Sequence, residues 1–212
     1  MKSLFPTIAA CLACLAGWAS AAAQAQETLT LENGRLGLSV DRKTGSLVAV
    51  HNKLTGETYQ VRGDEFDVEA VEFRAGLADA KLETLQREAE AVKARYQSGA
   101  VVIEVIYTLR GDSHFAEKKL TLISSRNYGL KKLVLSRPTF AADGLSIVSY
   151  RYPKYHRNPG EEASCTFFGR TGKGGFFTGV EMPFDASSAS GQQLTLSYAP
   201  SLKVAAGDKL DC

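Results

Sequence analysis

From residue 28 onward the chain alternates apolar and polar positions. Leu29 and Leu31 sit between Thr28, Thr30 and Glu32, and Asn33-Gly34 follows. Leu36, Leu38 and Val40 then repeat with a period of two residues. That period places one set of side chains on one face of a strand, and Asn-Gly is a hairpin turn signal. Asp41-Arg42-Lys43-Thr44-Gly45 turns the chain again before Leu47-Val48-Ala49-Val50. Leu54-Thr55-Gly56-Glu57 turns it once more before Tyr59 and Val61. A turn about every ten residues is the rhythm of an antiparallel β-sandwich or barrel.

The pattern changes register at Asp64 to Arg74. Phe66 and Val68 share one parity, whereas Val71 and Phe73 share the other. An odd step of this kind predicts a β-bulge near Ala70. The acids Asp64, Glu65, Asp67, Glu69 and Glu72 read as a charged outer face. A calcium cage would need a turning loop rather than a strand. Between residues 79 and 97, Leu82, Leu85, Ala89, Val92 and Tyr96 have helical spacing. The Ser98-Gly99 turn leading into a Val- and Ile-rich run favours two strands there over a helix. Residues 101–109 are apolar at both parities, which predicts a strand covered on both faces. Leu120-Thr121-Leu122-Ile123, Leu133-Val134-Leu135 and a stretch from Leu194 to Tyr198 continue the strands.

Residues 1–25 differ in kind. Lys2 is their only charge, an apolar run follows, and Ala23-Gln24-Ala25 ends it. This is the layout of a secretory signal peptide, and Pro6 and Gly17 make the run short for a membrane span. The reading is an exported protein, periplasmic or secreted, with residues 26–212 as one domain. Ile8-Ala9-Ala10-Cys11 has the form of a lipoprotein box, but it lies too close to the start and the apolar run continues beyond it. Without Lys2, the 25 basic residues become 24 against 23 acidic ones. A balance so near zero, with no clustered basic face, argues against nucleic acid as a partner. Cys165 and Cys212 are the two cysteines beyond the leader, and an oxidising compartment makes them disulfide candidates. Leu202 to Lys209 reads as a strand and turn leading onward, which suits the N-terminal module of a longer protein.

Candidate chemistry is sparse. Gly172-Lys173-Gly174-Gly175 lacks the Lys-Ser/Thr of a phosphate loop and reads as a hairpin turn. The histidines His51, His114 and His156 have no metal-ligand spacing, so no metal is expected, and no cofactor motif is present. No pair of carboxylates is singled out for glycoside cleavage. One acid–base pair, His156 with Glu181, has the chemistry to interconvert sugar anomers, and a structural pairing of Glu181 with Arg157 or Arg170 competes with it. Tyr150, Tyr152, Tyr155, His156 and Arg157 form an aromatic, basic stretch. Such residues suit either a sugar ring or a neighbouring protein domain.

Leu31-Glu32-Asn33-Gly34-Arg35-Leu36-Gly37-Leu38-Ser39-Val40-Asp41 opens a series that continues with Thr44-Gly45-Ser46-Leu47 and Asn52-Lys53-Leu54-Thr55-Gly56-Glu57. It resembles the start of galactose-mutarotase-like super-sandwich domains, which occur at the N-terminus of bacterial glycoside hydrolases such as alpha-galactosidase-like enzymes. The segment from Arg170 to Pro183 resembles a later part of the same domains. The resemblance implies an all-β super-sandwich. It also implies a non-catalytic carbohydrate-associated role beside a downstream catalytic domain. The alternatives are a small aldose-epimerase-like enzyme using His156 and Glu181, or a structural periplasmic module.

Overall fold

The computed structural model describes residues 27–150, 166–180 and 187–212. Nineteen strands, numbered along the chain, lie among these residues. The first four form an antiparallel meander: β1 (Thr28–Glu32), β2 (Leu36–Asp41), β3 (Leu47–Asn52) and β4 (Glu57–Arg62). Local turn chemistry explains these hairpins. Asn33 Oδ1 accepts from the backbone N–H of Arg35 and of Leu36, each at 2.8 Å. Asp41 Oδ1 does the same for Lys43 at 2.8 Å and Thr44 at 2.7 Å. Both are side-chain turns that Asn and Asp favour.

Beyond β4 the long sheet is no longer sequential. Its next strand is β12 (Thr139–Ala141), followed by β17 (Gln193–Tyr198), β11 (Tyr128–Ser136), β5 (Asp67–Ala70) and β6 (Arg74–Gly76). Two short strands, β16 (Ser188–Ser190) and β18 (Leu202–Val204), flank β17 and β11. A five-stranded sheet runs β19-β10-β9-β8-β7. It comprises β7 (Lys81–Arg87), β8 (Ala91–Ser98), β9 (Val101–Thr108), β10 (Glu117–Ser124) and β19 (Lys209–Asp211). A three-stranded sheet holds β13 (Ser146–Tyr150), β14 (Thr166–Arg170) and β15 (Gly175–Gly179).

Register shows which face of the long sheet is covered. Leu31, Leu38, Val50 and Tyr59 lie directly opposite one another across β1 to β4, so they share a face. Leu31 and Leu38 join the cluster made with Val92, Ile103, Leu120 and Leu122 of the five-stranded sheet. Tyr59 joins the cluster made with Phe167 of the three-stranded sheet. Both smaller sheets therefore pack side by side on one face of the long sheet. Burying a Leu of this kind stabilises by about 1.5–3 kcal/mol.

The two-strand reading of residues 79–97 holds as β7 and β8, joined to β9 by the Gly99 turn at φ 56°. The parity change at Ala70 is a chain reversal. Ala70 N–H donates to Phe73 O at 2.9 Å, and β6 returns along β5. The register shift expected near Ala70 does occur, but its extra residue lies between Leu130 and Lys132 on the facing strand β11. Residues 101–109 bury alternate side chains, while Val102, Glu104 and Ile106 stay half-exposed. Only one face of β9 is thus fully covered. Asp64 is corrected more sharply: it is 3% exposed and belongs to the interior, not to a charged outer face.

Candidate functional site

Most residues singled out by sequence lie outside the described residues. These are Tyr152, Tyr155, His156, Arg157, Cys165 and Glu181, as well as the leader with Cys11. Tyr150 ends β13 and is exposed. Cys212 is a half-buried thiol whose Sγ is 3.4 Å from Tyr198 Oη. Burial pushes its pKa up, which disfavours the reactive thiolate. The 172–175 segment is the β14–β15 hairpin turn, closed by Thr171 N–H donating to Gly174 O at 2.9 Å.

Across β1 to β4 and β12, the face of the long sheet turned away from the smaller sheets carries mostly polar and small residues. Two registered rows cross it. Thr30, Ser39, Ala49, Gln60 and Ala141 form one, and Glu32, Gly37, His51 and Thr58 form the other. They alternate with the buried set, since Thr58, Gln60 and Arg62 point away from Tyr59 and Val61. His51 Nδ1 is 3.0 Å from Thr58 Oγ1, a contact between neighbours within the second row.

An open cleft of about 380 Å³ lies on this face, lined by Thr58, Gln60, Ala141, Ala142, Asp143 and Gln192. Its lining combines two alanines with a hydroxyl, two amides and a carboxylate. Such a set donates and accepts hydrogen bonds in several directions at once. Sequence reading missed it because Gln60 and Gln192 are far apart along the chain and only β12 brings them together. The outward parity of Thr58 and Gln60 was the signal available. Among the described residues no group of three His, Cys, Asp or Glu gathers as a metal site.

Two carboxylates lie off this face. Asp64 accepts from Lys118 Nζ at 2.8 Å, Tyr107 Oη at 2.7 Å, Leu47 N–H at 3.2 Å and Ser136 Oγ. Burial would raise its pKa, but the Lys118 charge and these donors hold it below the usual carboxylate range. Tyr107 is pushed well above its ordinary value by burial and by Asp64. Lys118 also sits 5.4 Å from the centre of the Tyr107 ring. With every lone pair engaged and no access, Asp64 is a structural tie. Glu57 accepts from Thr171 Oγ1, Thr55 Oγ1 at 2.8 Å and Tyr59 Oη at 3.1 Å. The Thr171 bond leads the causes that lower its pKa, and burial and Glu57 push Tyr59 up to about 12.

With this architecture in view, several solved structures are similar, and one of them is so over nearly the whole length of both chains. It is a galactose mutarotase related enzyme from Lactobacillus acidophilus, with a TM-score of 0.54 and 10% identity. The match covers 87% of this chain and 95% of that one. The fold is a galactose-mutarotase-like β-sandwich. At this identity the likeness speaks for the fold alone. No protein-family model matches the chain, and no curated protein matches it in sequence. Among the described residues no helix is long and apolar enough to cross a membrane.

Proposed function

We propose that this chain is an exported, non-catalytic carbohydrate-associated module, of the kind that precedes the catalytic domain of a glycoside hydrolase. The observation that carries the reading is the cleft at Thr58, Gln60, Asp143 and Gln192 on the uncovered polar face. Sugars present closely spaced hydroxyls that both donate and accept, and this lining matches them in kind. The mutarotase-like fold supports the same ligand class. The leader-like residues 1–25, with Lys2, an apolar run and Ala23-Gln24-Ala25, support export.

The test is titration of the chain with mono- and oligosaccharides by calorimetry. Gln60→Ala with Gln192→Ala removes two side-chain amides and is expected to weaken binding about tenfold. Binding unchanged in that double variant overturns the assignment of the cleft. Polarimetry of fresh alpha-D-galactose settles the epimerase alternative. The expected result is no acceleration of anomer exchange. Acceleration abolished by His156→Ala or Glu181→Gln would replace the module reading with an enzyme.

A further inference from the structure

Among the described residues, five of the eight exposed large apolar side chains gather in one place. They are Phe115 at 56%, Val148 at 55%, Tyr150 at 51%, Phe168 at 42% and Phe177 at 55%. Scattered exposed apolar residues are ordinary, but a contiguous set is not. Val148, Phe168 and Phe177 lie directly opposite one another across β13, β14 and β15. Tyr150 is two residues along β13 and shares their face. The other face of the same sheet is already in use, with Phe167 and Phe176 packed against Tyr59 and Phe140. This small sheet is thus apolar on both sides, and Val148, Phe168 and Phe177 on its outer side remain 42–55% exposed.

Phe115 arrives from elsewhere. It belongs to residues 109–116, between β9 and β10, and its ring lies 5.3 Å from that of Phe177. The loop is held in place by the first hairpin: Asn33 Nδ2 donates to Arg110 O at 2.8 Å and to Ser113 O at 2.9 Å. Ser113 Oγ bonds both the N–H and the C=O of Phe115 at 2.9 Å. Phe115 is therefore ordered in place before any partner binds, which lowers the entropy cost of association.

We infer that the outer face of β13, β14 and β15, with Phe115, is a docking surface for a second copy of this chain. The five side chains expose roughly 500 Å² at the usual size of such residues. With their rim they approach the ~800 Å² per partner of a stable interface. The ring geometry argues for protein rather than sugar. Phe115 and Phe177 meet at 63°, and Phe168 and Phe177 at 42°, so no shared plane exists on which a glycan chain would stack. Tilted rings leave gaps that apolar side chains fill. Exposed Arg170 lies on the outer face at the end of β14, and exposed Asp112 flanks Phe115 in sequence, so a two-fold arrangement lets unlike charges meet.

Sedimentation equilibrium of the full chain over the micromolar range tests this. The expected result is a reversible dimer. Phe168→Thr with Phe177→Thr keeps strand propensity and is expected to raise the dimer Kd at least ~30-fold. Leu54→Thr, an exposed apolar residue elsewhere, is expected to leave the dimer intact. Phe115→Ser lies in a loop and repeats the test without touching a strand. A wild-type monomer throughout overturns the inference, as does a dimer indifferent to Phe115, Phe168 and Phe177. Retention on a polysaccharide that requires these phenylalanines in a monomeric protein overturns it too, in favour of a sugar surface. The Gln60 and Gln192 variants leave the mass unchanged, so this result is independent of the cleft.

Discussion

Each of the two covering sheets is fastened to the long sheet by one carboxylate, and the two joints are built differently. Asp64 is interior, and its donors Tyr107 and Lys118 come from the five-stranded sheet, one of them charged. Glu57 is only half-buried, and the donor that reaches it from the three-stranded sheet is the neutral hydroxyl of Thr171. A charge pair in a dry interior is costly to break from one side, because the remaining charge has no solvent to turn to. A hydroxyl bond at the surface exchanges with water at little cost. The five-stranded sheet is thus locked to the long sheet, whereas the three-stranded sheet is held by a joint that can open locally.

The strongest way to break this contrast is Asp64→Ala. It strands Lys118 and is expected to cost about 3–5 kcal/mol in chemical denaturation. Asp64→Asn with Lys118→Met is expected to be milder than Asp64→Ala alone, since no charge is left over. Equal losses in the two would mean the joint is not an ion pair in energetic terms. Next comes Gly45→Ala. Gly45 has φ 70°, and an added Cβ would come within 2.2 Å of Tyr96 Oη, which donates to Thr44 O at 2.7 Å. Tyr96 is on β8, so this substitution strikes the same locked joint, and about 2–4 kcal/mol is expected. An unaltered melting curve would show that the turn yields freely.

The locked joint reads directly in the sequence only in part. Asn33-Gly34 and Ser98-Gly99 announce their hairpins because the forces that shape them act within a few residues. Asp64 looked like one acid among five because its partners Tyr107, Lys118 and Ser136 are 43, 54 and 72 residues away. Nothing in the local pattern distinguishes it from Glu65, which is exposed. The cleft was hidden for the same reason. Alternation fixed the outward direction of Thr58 and Gln60, but not that Gln192 would join them across β12.

Acid gives a smaller, graded effect that sharpens the comparison. The folded-state pKa of Asp64 is lowered, so its contribution is complete above the unfolded value near 4 and fades as the pH falls through the folded one. Stability measured against pH is expected to fall below about pH 4, and Asp64→Asn is expected to flatten that fall. A fall of the same size in the variant would assign it to other carboxylates. The smallest effect belongs to Glu57→Gln. Global melting is expected to change little, while amide hydrogen exchange in β14 and β15 quickens several-fold. Uniform quickening across β9 and β10 as well would show that the two covering sheets open together.

The position of β17 has a consequence in time. It follows β13, β14 and β15 of another sheet in the chain, yet it sits in the middle of the long sheet, between β12 and β11. Until it inserts, both neighbours present open hydrogen-bonding edges, and the meander at one end has no sheet connection to β5 and β6 at the other. Pairings between segments so distant along the chain close slowly, because loop entropy is lost before the contacts form. Folding is therefore expected to be slow for a domain of this size, with the half-sheet ending at β12 as the species most exposed to edge-to-edge aggregation.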